Sequence, residues 1–405
     1  MAGRWLFKRT IVRTVIPEII LIASVTLIVY TYLGYPALIL ALSRLFRRPV
    51  RRGDITPHVS VIIAAYNEER DLAAKIENTL ALDYPREKLE IIVASDCSTD
   101  GTDEITRRYS GLGVILHRQA ERRGKTACQN RAVEISSGEI LVFSDATTRY
   151  EPEAVRRIVR SFADPEVGCV AGQLIYVDRS ATAVSQGCLS YWGYEKFLRR
   201  CESRFGSLIG VSGCLYAVRR SCHRQLAADM IEDFVVPTEV HQQGLRTIYD
   251  PEAVATEDTN SRGRDEFGMR VRVIQQTMSV LLRYRPVLNP WRHGMFAVQM
   301  ISHKMLRYAV PVLLLAAFAS NWLVDASLPY RLALVSQAVF YSAGLLGWFC
   351  DHAGIKLGAL ALPYYFLLVN AAVVAALWRF LRGDVRAVWE PMREPRVLNP
   401  DRDAL

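Results

Sequence analysis

Apolar residues in this chain follow two regimes. Near the ends they form long uncharged stretches, residues 19–43, 308–324, 332–350 and 357–378. A helix that crosses a bilayer needs roughly 20 apolar residues, within a range of about 17–25. Each stretch therefore reads as a membrane span, residues 308–324 with the least margin. The first is too long for a cleaved signal peptide, holds Pro36 late in its run and precedes no small-residue cleavage site. Trp and Tyr near the later stretches suit a membrane interface.

Between residues 54 and 285 the runs are short and alternate in type. Strand patterns cover residues 59–65, 89–94, 114–117, 140–143 and 167–177. Helical patterns run to residue 82, over 125–135, and from near Pro152. Strands alternating with helices predict an α/β domain built of βαβ units around a mostly parallel sheet. Pro57 marks its entry, and Pro286 with Pro290 its exit. The predicted organisation is residues 1–53 as tail and first span, 54–285 as the α/β insert, and 286–405 as an interfacial segment, about three spans and a basic tail. Residues 286–304, with Trp291, His293, Phe296, Met300 and His303, read as the interfacial segment.

Composition adds little until it is placed along the chain. Hydrophobic residues are 51% and charged residues 22% of 405, close to a soluble average. The net charge of +9 is concentrated beside the spans. Arg4, Lys8, Arg9 and Arg13 precede the first, and Arg44, Arg47, Arg48, Arg51 and Arg52 follow it, which favours a cytoplasmic side and anionic membrane lipids as partners. No basic groove interleaved with aromatics and no nucleic-acid module is present, so no nucleic acid is expected as a partner. The eight cysteines contain no CxxC pair. Neither a zinc site nor a disulfide framework is therefore indicated, which suits a reduced, cytosolic insert.

The chemistry collects at strand ends. The first predicted strand ends on Tyr66 and Glu68, the second on Asp96, the fourth on Asp145. The carboxyl ends of parallel strands line one edge of a doubly wound sheet, where ligands bind. There a ring stacks on a base, a carboxylate accepts from base or ribose, and another holds a divalent cation beside phosphates. A strand-end aspartate also serves as a turn residue or helix cap, and Asp145 alone leaves both readings open. The GxGxxG fingerprint and the GxxxxGK[ST] loop are missing, which argues against a dehydrogenase or a P-loop enzyme.

Five segments in order carry a resemblance: VSVIIAAYNEE from residue 59, SDCSTDGT from 95, Gly124-Lys125 with Asn130, FSDA from 143 and IEDF from 231. Together they resemble family 2 glycosyltransferases, inverting enzymes with a GT-A fold. The spans look like those of membrane-bound synthases of the cellulose, chitin and hyaluronan type. The resemblance implies roles residue by residue. Asp96 contacts uridine, with Tyr66 and Glu68 beside it, and Lys125 lies near the nucleotide. Asp145 matches the first Asp of the DxD motif and implies a Mg2+ or Mn2+ ligand at the diphosphate. Asp233 matches the catalytic base of an acidic pair, and Glu232 orients the acceptor or supports Asp233.

Two departures stand out. Thr147 occupies the place of the second DxD aspartate, a poorer ligand that puts the metal's affinity in question. In the segment matching QxxRW only Arg272 is kept, with Met269 and Val273 in place of Gln and Trp. Arg270 and Arg272 are expected to clamp the diphosphate. Losing the Trp leaves long-chain processivity uncommitted.

The implied activity moves a sugar from a UDP-sugar to a glycan or lipid-linked acceptor hydroxyl, giving a β-linkage, in cell-surface polysaccharide synthesis at the inner membrane. Export or assembly subunits are candidate partners. A catalytically idle assembly subunit and single transfer to polyprenyl phosphate are the competing readings. One span before the insert and three after it place both ends outside, whereas Arg379, Arg382, Arg386, Arg393 and Arg396 favour the inside.

Overall fold

The computed structural model describes residues 15–178, 182–260, 262–324, 327–353, 355 and 358–384. All five expected strands form: β1 (Val59–Ala65), β2 (Leu89–Ser95), β3 (Val114–Arg118), β4 (Ile140–Asp145) and, past the two-residue β5 (Arg149–Tyr150), β6 (Val167–Val177). Two further strands are β7 (Tyr216–Arg219) and β8 (Arg246–Asp258). One sheet holds them in the order β3-β2-β1-β4-β7-β6-β8-β5. Strands β3, β2, β1 and β4 are parallel, and so are β6 and β8. Strand β7 runs against both β4 and β6, and β5 against β8. The expected mostly parallel sheet is therefore mixed at its centre. The three unpredicted strands are two short ones and β8, whose apolar pattern is broken by Asp250, Pro251 and Glu252.

Both faces of the sheet are covered, which explains the near-continuous apolar strands. Side chains alternate along β1. Val59, Val61 and Ile63 pack with Leu72 and Ile76 of α2 (Leu72–Leu80), on the face that also takes α3 (Thr102–Arg108). Ile62 points the other way, towards Cys128 and Ala132 of α4 (Lys125–Ile135). The first face also receives α5 (Ala154–Val159). The strand register aligns the carboxyl ends. Ala65 pairs with Ser95, and Ala64 with Asp145, so the tips of β1, β2 and β4 end level.

Strand β8 is held by an ion pair at its bend. Asp250 is fully buried and takes two contacts from Arg160, Nε to Oδ2 at 3.1 Å and Nη2 to Oδ1 at 3.0 Å. Losing one partner of a buried pair leaves an uncompensated charge. Arg160→Ala is therefore expected to cost about 3 kcal/mol, near the low end because Arg52 remains 3.6 Å away. A lowered thermal midpoint in detergent, partly recovered in Arg160→Lys, checks this.

Among the described residues, four helices are long and apolar enough to cross a membrane: α1 (Ile16–Leu45), α9 (Pro290–Asn321), α10 (Leu328–His352) and α11 (Ala361–Leu381). Residues 290–304, expected to lie at the interface, instead begin α9. Phe296 and Met300 pack in the insert's core beside Phe234 and Tyr249, so this stretch does cover the insert. The weakest predicted span thereby gains its length from the segment before it. Arg379 and Arg382 close α11, while Arg4, Lys8, Arg9, Arg13, Arg386, Arg393 and Arg396 lie outside the described residues.

Three insert helices meet these apolar ones: α6 (Ala183–Phe205), α7 (Glu232–Gln242) and α8 (Gly263–Arg283). Helix α6 packs on α11 through Val184, Cys188, Tyr365 and Leu368, and α8 through Val271, Ile274, Ala372 and Ala376. Gly187 has a packing reason: a Cβ there would sit 2.4 Å from the Tyr365 ring. Helices α1, α6 and α9 share a buried polar knot. His303 places Nδ1 2.7 Å from Glu202 and Nε2 2.9 Å from Glu195, Arg307 meets Glu195 at 2.9 Å, and Tyr35 donates to Glu202. Apolar helices and insert are thus one packed unit around a shared cavity.

Candidate active site

The turns after β1 and β2 are laced together. Asn67 and Cys97, each one residue past a site side chain, adopt φ of 55° and 60°. That conformation is uncommon away from glycine. It brings the Asn67 Oδ1 to accept from Thr99 N at 2.7 Å, while Asn67 N donates to Ser98 Oγ at 3.0 Å. Tyr66 carries the Arg122 guanidinium over its ring, 3.8 Å from the centroid. Asp96 is buried, and its two oxygens accept from Arg123 N and Gly124 N, both at 2.9 Å. The Asp96 carboxylate therefore fixes the loop that delivers Lys125 at the start of α4. Glu68 is buried on the same wall.

Lys125 is far from a solvated surface lysine. Its Nζ lies 2.7 Å from Asp145 Oδ1 and 2.7 Å from Glu232 Oε1. Burial alone would lower the ammonium, but Asp145, Glu232 and Asp233 outweigh it and hold it well above the lysine range. Burial likewise opposes ionisation of Asp145, and Lys125 overcomes this and keeps the carboxyl below its usual range.

Asp233 lies in the first turn of α7, whose N-cap is Ile231. Asp233 is therefore not the cap of this helix. Its Oδ1 has no hydrogen-bond partner among the described residues. Burial first, then the charge of Glu232, raises its carboxyl to about 7. Gly213 makes room for this group: a Cβ there would come 2.8 Å from Lys125 Nζ and 2.9 Å from Asp233 Oδ1. Glu232 is buried and accepts from Thr126 Oγ1 at 3.3 Å as well as facing Lys125.

The expected arginine clamp divides. Residues two apart on a helix do not share a face. Arg270 donates from Nε to Glu266 at 2.8 Å and from Nη2 to the Tyr365 hydroxyl at 2.8 Å, with its guanidinium 4.5 Å from the Tyr191 ring centroid. It ties α8 to α11. Arg272 faces the carboxylates instead. Burial lowers it to about 10, against the pull of Asp145, Glu232 and Asp233.

Beside Asp145 lie groups that sequence reasoning misses. Cys214 Sγ donates to Glu257 Oε2 at 2.8 Å and to Asp145 Oδ2 at 3.7 Å, and Thr147 Oγ1 donates to Glu257 Oε1 at 2.9 Å. One ligand atom from each of Asp145, Cys214 and Glu257 falls within 4.8 Å of the others. Two carboxylates and a thiol in a partly buried wall suit a divalent cation. Glu257 escapes notice because β8 does; its signal, a carboxylate at a strand end, is the same as that of Asp145. Cys214 and Gly213 carry no sequence signal of their own.

One cavity of about 2060 Å³ joins these groups. Tyr66, Asp96, Lys125, Asp145, Asp233 and Arg272 line it, and it continues between the apolar helices to Arg307 and Asn370.

Residues 60–226 match the family model described as Glycosyl transferase family 2. The chain is 27% identical over 243 residues to poly-beta-1,6-N-acetyl-D-glucosamine synthase of Staphylococcus aureus, an overlap of 58% of each chain. It is 27% identical over 305 residues to an N-acetylglucosaminyltransferase of Bradyrhizobium diazoefficiens, covering 70% of this chain and 62% of that one. The match thus spans about three fifths of these curated relatives. Among solved structures, the mannosyltransferase PcManGT from Pyrobaculum calidifontis, in complex with GDP-Man and Mn2+, aligns with a TM-score of 0.68 and 25% identity, over 89% of this chain and 99% of that one.

Proposed function

We propose that the chain, whose residues 60–226 match the Glycosyl transferase family 2 model, is a membrane-anchored, metal-dependent, inverting transferase of GT-A-like fold. It moves a sugar from a UDP-sugar to a hydroxyl of a glycan or lipid-linked acceptor in cell-surface polysaccharide synthesis. The observation that carries this reading is Asp233, a carboxylate with an oxygen free of partners, beside the Lys125–Asp145 pair in the same cavity.

In this mechanism Tyr66 and Asp96 border the base and ribose, Tyr66 by exchanging the Arg122 guanidinium for the base ring. Lys125 and Arg272 face the diphosphate and oppose the charge that grows on the leaving nucleotide. A divalent cation held at Asp145 supplies further charge there when bound. Asp233 accepts the proton of the attacking hydroxyl, as a single displacement requires of one carboxylate in reach. Glu232 holds Lys125 in place and adds the charge that raises Asp233.

The helices support a membrane setting. Ile19, Leu33, Leu315, Val339 and Phe349 are exposed apolar side chains on α1, α9 and α10. Such faces fit lipid, and a cytoplasmic insert at the inner membrane meets nucleotide sugar on its open side. The cavity's extension between the apolar helices suits an acceptor that approaches from the membrane.

The test is nucleotide release by protein in nanodiscs across a panel of UDP-sugars, with Mn2+ or with chelator. Metal-dependent release from one donor is expected. GDP-mannose belongs in the panel as the second reading, favoured by the GDP-Man complex of the similar structure. No release from any donor, with nucleotide still binding, would reject the assignment in favour of an idle subunit. The two arginines give an internal check. Arg272→Ala is expected to weaken nucleotide diphosphate binding by about tenfold or more. Arg270→Ala is expected to lower the thermal midpoint instead, because Glu266 loses its partner; calorimetry and thermal melts on both variants separate the effects.

A further inference from the structure

The metal wall of this cavity departs from the DxD pattern at Thr147, and the departure is matched by a residue 110 positions later. We propose that Glu257 supplies the second carboxylate of the divalent-cation site, with Cys214 as a thiol ligand that tilts the site towards softer ions. This rests on the nucleotide-sugar reading of the cavity.

Four observations carry it. First, the side chain that replaces the missing aspartate points at Glu257: Thr147 Oγ1 donates to Oε1 at 2.9 Å. A threonine in that place orients the carboxylate that takes over from it. Second, Asp145, Cys214 and Glu257 each present one ligand atom within a 4.8 Å span. Ligands bound at about 2.0–2.2 Å stand roughly 3–4.4 Å apart in an octahedral shell, so small rotations close the set. Third, three separate strands bring these groups together. Asp145 ends β4, Cys214 precedes β7, and Glu257 stands near the end of β8, opposite Tyr176 of β6. The neighbouring order β4-β7-β6-β8 sets the three tips along one stretch of the sheet edge. Fourth, the charges are unbalanced. Lys125 is shared between Asp145 and Glu232, while Asp145 and Glu257 both crowd the Cys214 thiol. A divalent cation held between Asp145 and Glu257 would offset their mutual repulsion.

Coordination by Cys214 needs the thiolate. A bound divalent cation would be held by the Asp145 and Glu257 carboxylates and by Cys214 as thiolate, with the thiol proton released to solvent. Thiolate ligation favours softer ions such as Zn2+ or Co2+ over Mg2+, while the two carboxylates also suit Mn2+.

The experiment uses the full chain in nanodiscs and reads binding rather than turnover. Protein-bound Mn2+ is measured by electron paramagnetic resonance, with Mn2+ alone and with Mn2+ plus UDP. Glu257→Gln is expected to weaken Mn2+ binding at least tenfold. Restoring the missing aspartate in that background, Thr147→Asp with Glu257→Gln, is expected to recover it, which a merely structural Glu257 would not allow. Co2+ is expected to give a sulfur-to-metal charge-transfer band that Cys214→Ser abolishes. Wild-type Mn2+ affinity in Glu257→Gln under both conditions overturns the proposal, as does wild-type protein that holds no Mn2+ in either. A missing cobalt–sulfur band removes Cys214 from the ligand set. The two readings fail separately. Loss of Mn2+ in Glu257→Gln without turnover of any donor sinks the transferase and keeps the site. Turnover with an unchanged Mn2+ affinity in the variant does the reverse.

Discussion

Asp233→Asn is expected to lower sugar transfer by about 10²–10⁴-fold, the range for removing a positioned general base, while nucleotide affinity stays unchanged. The two effects separate because Asp233 is not the partner of Lys125: the ammonium rests on Asp145 and Glu232. Asparagine keeps the size of the side chain, so the space left by Gly213 still fits it. The pH profile gives the same test in the wild type. In the proposed mechanism the ionised carboxylate is the base, and burial and Glu232 raise its pKa to about 7. Transfer should therefore climb tenfold per unit below pH 7 and level off above it. Glu232→Gln removes one of the charges that raise Asp233 and should move that midpoint to lower pH. A flat profile from pH 5 to 8, or retained transfer in Asp233→Asn, would remove Asp233 from the base role.

Asp145→Asn is expected to reduce kcat/KM by about 10²–10³-fold, the size of one lost electrostatic contact to developing charge. Unlike the first variant it should lose nucleotide affinity as well. Two contacts go together, since Asp145 is both the anchor of Lys125 and a carboxylate of the Asp145–Cys214–Glu257 group. Calorimetry of UDP binding with Mn2+ and with chelator reads this directly. In the wild type the metal should strengthen UDP binding; in Asp145→Asn that gain should vanish. Equal metal dependence in both proteins would detach the cation from Asp145. The variant is expected to fold, because Lys125 keeps Glu232 at 2.7 Å.

The sheet's first half is legible in the sequence because its strands are buried on both faces and read as plain apolar runs. The level tips of β1, β2 and β4 bring Tyr66, Asp96 and Asp145 to one edge, as parallel pairing predicts. What the sequence hides arises from contacts between distant segments. Lys125 gains its meaning only when residues 145 and 232 fold against it. Glu257 stands on a strand whose charged bend erases the period-two signal. Arg270 looks like half of a phosphate clamp, but helical geometry turns it from Arg272 and the hydroxyl of Tyr365, on an apolar helix, captures it. Residues 290–304 read as an amphipathic surface segment, since Phe296 and Met300 find their apolar partners in the insert and not in the sequence around them.

The proposed inverting transfer is a single displacement at the anomeric carbon, with Asp233 taking the proton of the attacking hydroxyl. The anomeric configuration of the first-formed product tests it most directly. With an α-linked nucleotide sugar, Mn2+ and the full chain in nanodiscs, proton NMR of the product should show the β-anomer. An α-configured product would require two displacements or front-face attack, and would contradict the assignment of Asp233 as a base to an inverting transfer.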